Sequence, residues 1–417
     1  MKIGTGYSNH PNAMTSGKMV AERALASGDL DRPDLVMAFC SGNLVHEEYF
    51  EGLQSIFGKS IPIIGGSAIG IITNAIISYT GFPAGAVAIQ SDMLRCRIAA
   101  ADRLDEDERD AGHRLVKQLN IGRADRLLLF FYDSIRKPAC SAAPPVLNTS
   151  SLLISGIEKA LRSSIPVIGA GLVGDFSLMN TTAQFCGTSV GIQSVVGAVL
   201  SGDVGVYYRI MHGCTPLDGI FHRVTKSDGA CIFELDGQPI VPIIDDLYGS
   251  QDWRSKKPLD LLTFGINCGE TYSDPVEERY VNRLITGVLP EGNGVCLFEP
   301  DIEEGAEIQF MLRDTQKMID SARINTEELM SRVQAEGCRP LLGFYIDCAG
   351  RAADYSLTAV EEASEVQRIF NRYRCPLFGF YSGVEVAPLL ERSRGLDWTG
   401  VLVVLAEDES ENFGKAF

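Results

Sequence analysis

Long apolar runs are missing from this sequence. No segment reaches the roughly 18 uninterrupted apolar residues that a transmembrane helix needs. The first residues, Met1-Lys-Ile-Gly-Thr-Gly-Tyr, contain neither an apolar core nor a cleavage site of the signal-peptide type. We therefore predict neither a membrane-spanning helix nor a signal peptide.

Positive charge is also scarce. The 417 residues include 37 Lys and Arg against 54 Asp and Glu, which gives a net charge of −17 and a pI of about 4.8. Contact with phosphate groups requires a basic face, so this balance argues against nucleic acid and membranes as partners. A hydrophobic fraction of 45% is typical of a globular chain, and the length favours two or three domains.

Cysteine pairs with the spacing of a metal site are absent. The closest two of the 11 cysteines, Cys338 and Cys348, are ten residues apart, so no C-x-x-C motif exists. Most of the others lie in apolar segments. This pattern is typical of buried free thiols in a reducing cytoplasm and excludes a disulfide framework or a zinc site.

A pattern that recurs three times is the most informative feature that is present. Its copies span residues 62–71, 166–175 and 376–385, and each runs from a proline through two apolar residues to a glycine and a small-residue turn. Each follows a predicted strand and a predicted helix. The strands are predicted over residues 34–40, 126–132 and 340–348, and the helices over residues 46–57, 152–162 and 359–373. The repeats therefore predict three β-α-β units.

These units define the predicted fold class. We expect an α/β protein of two closely packed lobes, with mixed sheets built from repeated β-α-β units followed by extra strands. A hairpin turning at Asp228-Gly229 marks a change of character near residue 223. The predicted N-terminal domain is therefore 1–223, with two β-α-β units, and the predicted C-terminal domain is 224–417, with one. A polar terminal segment is predicted over residues 407–417.

Several motifs, in their order and spacing, resemble the FIST proteins. They are Pro62 to Gly70 for the N-terminal FIST domain, Gly213-Cys-Thr-Pro216 and Leu235-Asp-Gly-Gln-Pro239 for the junction, and Ile302-Glu-Glu-Gly305, Asp347-Cys-Ala-Gly-Arg351 and Gly379-Phe-Tyr381 for the C-terminal FIST domain. The resemblance covers nearly the whole chain. The family usually has Gly-Glu after the first turn, whereas here Ile71 follows Gly70, and acidic residues occupy the equivalent positions at Asp175 and Glu385.

The resemblance implies a sensory module for signal transduction that binds a small ligand, such as an amino acid or a related metabolite, and has no catalytic activity. Some bacterial members are haem-containing nitric-oxide sensors that pair with histidine kinases, and this is the alternative function. No kinase, cyclase or chemoreceptor segment is present in the sequence, so a signal would pass to a separate protein such as a histidine kinase.

The best candidate site follows the strand that ends at Asp347. Ligands of open α/β folds bind at the carboxyl ends of strands. Arg351 would bind a carboxylate or phosphate through two parallel hydrogen bonds, and Glu385 beside it would bind the ammonium group of an amino acid. Alternatively, Arg351 and Glu385 would form an internal salt bridge. Cys348 and Tyr381 complete the predicted walls of the pocket. Ser67, which the repeat aligns with Tyr381, is added as a ligand-binding residue from the first unit.

Two further functions remain open at this stage. A cysteine-dependent enzyme would use Cys348 as its nucleophile, but no histidine close in sequence supplies a base. Haem would need a buried histidine, and His212 and His46 are the weak candidates among the five histidines. Gly169-Ala-Gly-Leu-Val-Gly174 has the spacing of a dinucleotide fingerprint but lacks the following helix and acidic residue. We predict a binding protein without a metal or cofactor.

Overall fold

A computed structural model of this chain describes residues 1–140, 145–257, 259–270 and 273–408. The chain is 26% helix and 39% strand in several mixed sheets, which confirms the predicted α/β fold class of two lobes. Of the predicted polar terminal segment, residues 409–417 lie outside the described residues.

The first two repeat units share one order of elements. The first contains β1 (Lys2–Ser8), α1 (Ala13–Gly28), β2 (Leu35–Cys40), α2 (His46–Phe57), β3 (Ile63–Ser67), a hairpin of β4 (Ile71–Thr73) and β5 (Ile77–Ser78), and β6 (Ala84–Gln90). The second contains β7 (Leu94–Ala101), α3 (Glu108–Leu119), β8 (Asp125–Asp133), β9 (Ile135–Lys137), β10 (Val146–Leu147), α4 (Ser150–Ala160), β11 (Val167–Leu172), a hairpin of β12 (Gln184–Cys186) and β13 (Ser189–Gly191), and β14 (Val195–Gly202).

The third unit has the same order but carries a large insertion after its first strand. It opens with β15 (Gly205–Met211). The insertion contains β16 (Thr215–Pro216), β17 (His222–Asp228), β18 (Cys231–Leu235), β19 (Gln238–Pro239), α5 (Ile240–Tyr248), β20 (Leu262–Asn267), β21 (Tyr280–Arg283), β22 (Ile285–Val288), β23 (Val295–Leu297) and β24 (Glu307–Leu312). The unit continues with α6 (Thr315–Ala335), β25 (Cys338–Cys348), α7 (Ala353–Ser356), α8 (Ala363–Arg372), β26 (Leu377–Ser382), a hairpin of β27 (Val384–Leu389) and β28 (Arg392–Leu396), and β29 (Gly400–Asp408).

Each unit builds a six-stranded sheet, and the three sheets exchange hairpins in a cycle. Their strand orders are β1-β6-β2-β3-β12-β13, β28-β27-β11-β8-β14-β7 and β15-β29-β25-β26-β4-β5. The hairpin of the first unit therefore completes the third sheet, that of the second completes the first sheet, and that of the third completes the second sheet. The parallel pairs β2/β3, β8/β11 and β25/β26 confirm the three predicted β-α-β units.

The shared proline and glycine have a common structural reason. The carbonyl of each proline accepts a main-chain hydrogen bond from the neighbouring parallel strand, for example from Val36 in β2 to Pro62 at 2.9 Å, and each proline directly precedes its own strand, β3, β11 or β26. The shared glycine is the third residue of that strand. A Cβ atom at Gly169 would lie 2.2 Å from the carbonyl oxygen of Phe130, and one at Gly379 would lie 2.3 Å from that of Tyr345. Only glycine allows the two strands to approach this closely.

The inner faces of the three sheets meet in a central apolar core. The ring of Phe39 lies 5.1 Å from that of Phe131 and 3.9 Å from that of Phe380, so all three sheets contribute to one aromatic cluster. The outer faces are covered by helices, α1 and α2 on the first sheet, α3 and α4 on the second, and α6 and α8 on the third. This arrangement buries both faces of every central strand, which explains their continuous apolar sequences.

Side chains at the helix starts fix where several of these helices begin. Asn12 accepts from the main-chain nitrogen of Thr15 at 2.9 Å, and Asp107 accepts from that of Asp110 at 2.9 Å. Helix α4 lacks a side-chain cap of its own at Thr149. Its start depends on a contact from the insertion, described below.

The insertion forms a separate nine-stranded sheet with its own core. Trp253, which is 1% exposed, packs there beneath α5. The hairpin predicted at Asp228-Gly229 is formed by β17 and β18, and Gly229 has a φ of 56° in the turn. Strand β15 precedes the predicted boundary at residue 223 but pairs with β29 at the end of the chain. The boundary itself stays a prediction.

Candidate functional site

Arg351 lies just after β25 and is enclosed on all sides. Its side chain has 0% exposure, and its Nε donates to Oδ1 of Asp347 at 2.9 Å. Its Nη2 lies 3.0 Å from Oε1 of Glu362, an ion-pair distance without the angles of a hydrogen bond. Its Nη1 donates to the carbonyl oxygens of His212 at 3.4 Å and Trp398 at 3.2 Å. The guanidinium is therefore the centre of a buried charge cluster.

Two carboxyl groups share this single cation. Burial and then the charge of Glu362 raise the pKa of Asp347 well above its usual value, although Arg351 opposes the shift. Oδ2 of Asp347 is buried and has no hydrogen-bond partner in the described chain. The Tyr345 hydroxyl donates to Glu362 at 2.9 Å. One guanidinium cannot neutralise two buried carboxylates, and the raised pKa of Asp347 reflects this imbalance.

Cys348 lacks the surroundings of an activated thiol. It is 5% exposed, and burial, followed by the charge of Glu385, raises its pKa well above the ordinary value for a thiol. A nucleophilic cysteine needs a lowered pKa and a base within hydrogen-bond reach. Within the described chain, no histidine is hydrogen-bonded to this sulfur. These surroundings disfavour Cys348 as a nucleophile.

Tyr381 lies beside the Arg351 cluster, as the predicted pairing of the strands requires. It is the register partner of Asp347 across β25 and β26, and it is fully buried. Its hydroxyl donates to Glu361 at 3.3 Å, and its ring makes an edge contact with Tyr79 at 5.6 Å. The Tyr79 hydroxyl also donates to Glu361, at 2.5 Å. Tyr381 therefore packs in the interior and makes its polar contact with a second acidic residue.

Glu385 is buried close to the same strand ends but does not pair with Arg351. It accepts from the Ser382 hydroxyl at 2.8 Å and from the main-chain nitrogen of Thr399 at 3.3 Å. Burial raises the pKa of Glu385 well above its usual value. No ion pair between Arg351 and Glu385 occurs within the described residues. The internal salt bridge that the sequence suggested is thus formed with Asp347 and Glu362 instead.

Ser67 and His46 form a pair at the end of β3 in the first unit. The Ser67 hydroxyl accepts from the main-chain nitrogen of Ala183 at 2.9 Å and lies 2.8 Å from Nε2 of His46. Burial lowers the pKa of His46, which favours a neutral ring hydrogen-bonded to the Ser67 hydroxyl. Ser67 has 0% exposure. The structure therefore does not join Ser67 to the Arg351 cluster through its hydroxyl.

His212 does not fit the role of a haem ligand. Its Nδ1 accepts from the main-chain nitrogen of Cys214 at 2.9 Å, so its Nε2 carries the proton and donates to the carbonyl oxygen of Glu277 at 3.1 Å. No lone pair remains for an iron atom. Nε2 of His46 is likewise occupied by Ser67. Among the residues that the structure describes, no group of three or more His, Cys, Asp and Glu could hold a metal ion.

An open cleft lies elsewhere, between α4, β28 and the insertion. Its volume is about 500 Å³. It is lined by Ser151, Ile154, Ser155, Glu158, Lys159, Asp301, Arg392, Ser393, Arg394 and Gly395. We call it the α4 cleft. None of Arg351, Cys348, Tyr381, Glu385 and Ser67 lines it.

The α4 cleft combines two carboxylates with cations that form no close ion pair, although the charge of Arg394 helps to lower the pKa of Asp301 in the same cleft. Lys159, Arg392 and Arg394 form no ion pair with any described residue, and the buried Nε of Arg394 has no hydrogen-bond partner there. Glu158 accepts from the main-chain nitrogen of Ser393 at 3.1 Å. Asp301 forms an ion pair with Arg283, whose Nε donates to it at 2.7 Å. Unpaired cations in a chain of net charge −17 indicate a site that favours an anionic group.

The insertion holds the floor of the cleft in place. Glu299 accepts from the main-chain nitrogens of Ser150 at 3.1 Å and Ser151 at 3.4 Å, and it thus caps the start of α4. Arg283 donates to the carbonyl oxygen of Gly395 in β28 at 3.0 Å. Burial nevertheless raises the pKa of Glu299 to about 7 and that of Asp397, which lies 3.8 Å from Arg283, to about 6.

Reasoning from the sequence missed the α4 cleft. Its residues come from three parts of the chain that are far apart in sequence, and only the exchange of the third hairpin brings β28 to α4. Two signals were present. Arg392 and Arg394 alternate in a short polar strand, and Asp301 directly precedes the Ile302-Glu-Glu-Gly305 motif. Neither signal reveals which partners the side chains meet.

The structure is that of an α/β protein with a buried charge cluster around Arg351 and a charged α4 cleft. A family model of the FIST N domain matches residues 34–238, and a model of the FIST C domain matches residues 243–388. The chain therefore belongs to the FIST proteins, as the sequence motifs indicated. FIST domains are sensory domains that bind small ligands in signal transduction. None of the described helices combines the length and apolar character that crossing a bilayer requires.

More distant similarities add little to this assignment. An uncharacterized protein of Methanocaldococcus jannaschii is 24% identical over 275 residues, which cover 60% of this chain and 51% of that protein, so the match spans about half of the relative. A crystal structure of a chorismatase covers 97% of this chain and 98% of its own, with a TM-score of 0.32 and 8% identity. The Thermotoga maritima PurL complex with ATP covers 97% and 71%, with a TM-score of 0.23 and 11% identity. TM-scores this low carry no argument about function.

Proposed function

We propose that this protein is a cytoplasmic sensory protein that binds a small ligand, an amino acid or a related organic acid, and catalyses no reaction. Its membership in the FIST proteins supports the sensory role. The signal would pass to a separate protein such as a histidine kinase. The ligand class rests on the chemistry of the α4 cleft.

The unpaired cations of the α4 cleft are the observation that carries this proposal. Arg394 and Lys159 lack ion-pair partners in the described chain, and a guanidinium binds a carboxylate through two parallel hydrogen bonds. Glu158 and Asp301 line the same cleft and would attract an ammonium group. An amino acid carries both groups on adjacent atoms. A cleft of about 500 Å³ falls within the usual range for small-molecule sites.

The surroundings of the candidate nucleophiles support a binding role over catalysis. The raised pKa of Cys348 disfavours a thiolate. The Ser67 hydroxyl is directed at His46 but is fully buried, so a substrate would not reach it in this arrangement. A catalytic site needs a nucleophile and a base that a substrate can reach. The cysteine-dependent enzyme therefore gains no support from these two residues.

A thermal-shift screen of free amino acids and small organic acids tests the proposal. A compound that binds only the folded state stabilises it by RT ln(1 + [L]/Kd), so the melting temperature should rise with concentration. We expect Arg394→Gln and Lys159→Gln each to reduce that rise. Lys18→Gln, which removes an exposed cation on α1, serves as the matched control and should leave the rise unchanged.

The same screen separates the α4 cleft from the site predicted at the strand ends. Tyr381→Phe removes the hydroxyl contact with Glu361 without opening a large cavity. A ligand at Arg351 and Tyr381 would lose its stabilising effect in Tyr381→Phe and keep it in Arg394→Gln. The opposite pattern is expected for the α4 cleft. Conversion of a stabilising compound, detected by mass spectrometry, would contradict the absence of catalysis.

A further inference from the structure

Three buried arginines surround the turn between β28 and β29, and one of them has no acidic partner. Arg283 and Arg351 each lie within ion-pair distance of two carboxylates. Arg313, which directly follows β24, is 8% exposed and forms no ion pair with any residue that the structure describes. Its Nη2 donates to the carbonyl oxygen of Leu259, whereas its Nε and Nη1 are buried and have no hydrogen-bond partner in the same part of the chain. Since buried arginines are almost always paired, this position suits an anion.

The electrostatic surroundings of Arg313 differ from those of the other two arginines. For those two, burial lowers the pKa, but the neighbouring carboxylates outweigh burial and raise the pKa above its ordinary value. For Arg313, burial lowers the pKa, and the neighbouring groups, with Cys214 first and Asp260 last, do not offset this. Asp260 pairs with Lys256 at 3.7 Å. Burial raises the pKa of Cys214 to about 12, so its thiol stays neutral and does not balance the charge of Arg313.

Asn282 contributes a second set of unused polar atoms. It is 0% exposed, and both its Nδ2 and its Oδ1 are buried without a hydrogen-bond partner among the described residues. Tyr280 and Leu284, two positions to either side of it, belong to one apolar cluster with Cys214 and Trp398. Because alternate residues of a strand point to the same face, the amide of Asn282 points into this cluster.

Arg313 reaches the same cluster from β24. The pairing of β16 with β24 brings Cys214, the residue before β16, next to Arg313. The guanidinium lies 4.2 Å from the centre of the Trp398 ring. Against the effect of burial, the charge of Arg313 and the side chain of Asn282 both act to lower the pKa of Cys214. Arg313 and Asn282 therefore lie on two sides of one thiol, within one enclosed cluster.

The charge of Arg313 decides what kind of ligand fits. A water molecule would satisfy buried N–H groups, but it would not balance a buried positive charge. One guanidinium balances one negative charge. The flat fork of a guanidinium matches the coplanar oxygen atoms of a carboxylate or a similar ion, and the ring of Trp398 already covers one of its faces. The surrounding apolar side chains are buried, which favours an ion of few atoms.

We propose that Arg313 and Asn282 bind a compact planar oxyanion of one negative charge, of which formate and nitrate are examples. Its oxygen atoms accept from Nε or Nη1 of Arg313 and from Nδ2 of Asn282. We call this place the Arg313 site. It shares no residue with the α4 cleft, so the inference goes beyond the proposed function and does not depend on it. The bound ion would balance Arg313 beside Trp398, whose carbonyl oxygen accepts from Arg351 at 3.2 Å.

A melting-temperature titration of the full chain with sodium formate and with sodium nitrate tests this proposal. Sodium gluconate, whose anion is too large for an enclosed site, keeps the ionic strength constant, because exposed charges also respond to salt. The melting temperature should rise by about 1–2 °C at about ten times the Kd and should follow RT ln(1 + [L]/Kd). Chloride should act more weakly, because a sphere does not match the fork.

Removal of the charge should remove the response. Arg313→Met keeps a long side chain, and in gluconate it should melt at the same temperature as the unmodified protein or higher, because an unpaired buried charge is costly. Formate should no longer raise its melting temperature. Arg374→Met, at an exposed arginine, is the matched control and should keep the full response. Arg394→Gln should also keep it, which separates the Arg313 site from the α4 cleft.

An internal carboxylate should replace the ion. Asn282→Asp places a negative charge beside Arg313, so this variant should melt above the unmodified protein in gluconate and should no longer respond to formate. Asn293→Asp, at an exposed asparagine, is its control and should keep the response.

Trp398 provides a direct measure of occupancy. The chain has two tryptophans, so in Trp253→Phe the emission comes from Trp398 alone. Formate should change this emission to saturation, with the Kd of the melting titration. Should Trp253→Phe not fold, the comparison of the unmodified protein with Arg313→Met gives the same information.

Four results would overturn the proposal. The first is the lack of a saturable response to both ions in the unmodified protein, which would assign water to the site. The second is a formate response that persists in Arg313→Met. The third is a melting temperature of Arg313→Met in gluconate below that of the unmodified protein, which would mean that the charge stabilises the fold without an ion. The fourth is a formate response, or a lower melting temperature, in Asn282→Asp.

Discussion

Arg351 and Asp347, four residues apart at the end of β25, form a salt bridge of 2.9 Å with no exposure to solvent. Oε1 of Glu362 lies 3.0 Å from Nη2 of the same guanidinium. A residue that looks like a ligand-binding arginine in the sequence is therefore also the cation that two buried acids need. Removal of Arg351 should therefore lower the stability of the fold.

Arg351→Ala should lower the free energy of unfolding by about 3–5 kcal/mol, because it leaves Asp347 and Glu362 buried without a cation. Urea denaturation followed by circular dichroism measures this change. Arg374→Ala, an exposed arginine in the turn after α8, is the control and should change stability by less than about 0.5 kcal/mol. A loss below about 1 kcal/mol for Arg351→Ala would contradict the structural role and favour ligand contact.

Stability should fall as pH rises from about 5 to about 7, and Glu299 should account for part of this. Burial raises the pKa of Glu299 from 4.5 in the unfolded chain to about 7 in the folded protein. The folded state therefore binds this proton more tightly, so the contribution of Glu299 to stability is fully present below pH 4.5 and is lost as pH rises through 7. The shift corresponds to roughly 3 kcal/mol.

Glu299→Gln tests this pH dependence. Its amide oxygen can still accept from the nitrogen of Ser150, the Ser151 nitrogen loses the second carboxylate oxygen as its acceptor, and the side chain no longer titrates. We expect urea denaturation between pH 5 and pH 8 to give a smaller decline for this variant. Asp397→Asn should flatten a separate part of the curve, since the pKa of Asp397 is about 6. Parallel curves for Glu299→Gln and the unmodified protein would contradict the assignment.

Gly379→Ala should destabilise the fold by about 3 kcal/mol or more, because its Cβ would lie 2.3 Å from the carbonyl oxygen of Tyr345. A main-chain oxygen within a sheet cannot move aside as a side chain can. Gly122→Ala is the matched control, since a Cβ there meets nothing within 4 Å. Thermal denaturation of both variants compares them. Similar melting temperatures for Gly379→Ala and Gly122→Ala would contradict the prediction, because they would mean that β25 and β26 can move apart without loss of stability.

Cys231 and Cys296 should form a disulfide under mild oxidation. They are register partners on β18 and β23, and their sulfur atoms are 3.2 Å apart. Copper-phenanthroline supplies the oxidant, and mass spectrometry of peptides without reduction detects the link. Burial and the neighbouring thiol raise the pKa of Cys296 to about 12, so alkylation of the reduced protein should be slow there. Cys231→Ser should eliminate the linked peptide.

The repeats showed the local architecture in advance. The proline and glycine positions, together with apolar strand segments, predicted the three parallel pairs that β2/β3, β8/β11 and β25/β26 form. The reason is local, since a proline, which has no N–H to donate, is favoured at the start of a strand, and the close approach of two strands excludes every side chain larger than hydrogen. Helix α2 matches its predicted bounds because its apolar residues recur at helical spacing.

The neighbourhood of the candidate site was predicted in part. The sequence placed Tyr381 beside Asp347, and the register of β25 and β26 confirms it. It did not reveal that Glu362, from the start of α8, reaches Arg351. That contact depends on how the helix packs over the sheet, which a sequence pattern of apolar residues does not specify. The ligand-binding roles of Arg351, Cys348, Tyr381, Glu385 and Ser67 stay predictions.

The sequence by itself determined the three units, the family and the acidic character of the surface. Only the tertiary structure decided that each hairpin joins the sheet of another unit, that the insertion caps α4 through Glu299, and that Arg394 and Lys159 meet in one cleft. The physical reason is the distance along the chain between the residues that interact. Turns, strand starts and helical faces follow from neighbouring residues, whereas the choice among equivalent strand edges depends on which closure buries the central aromatic core.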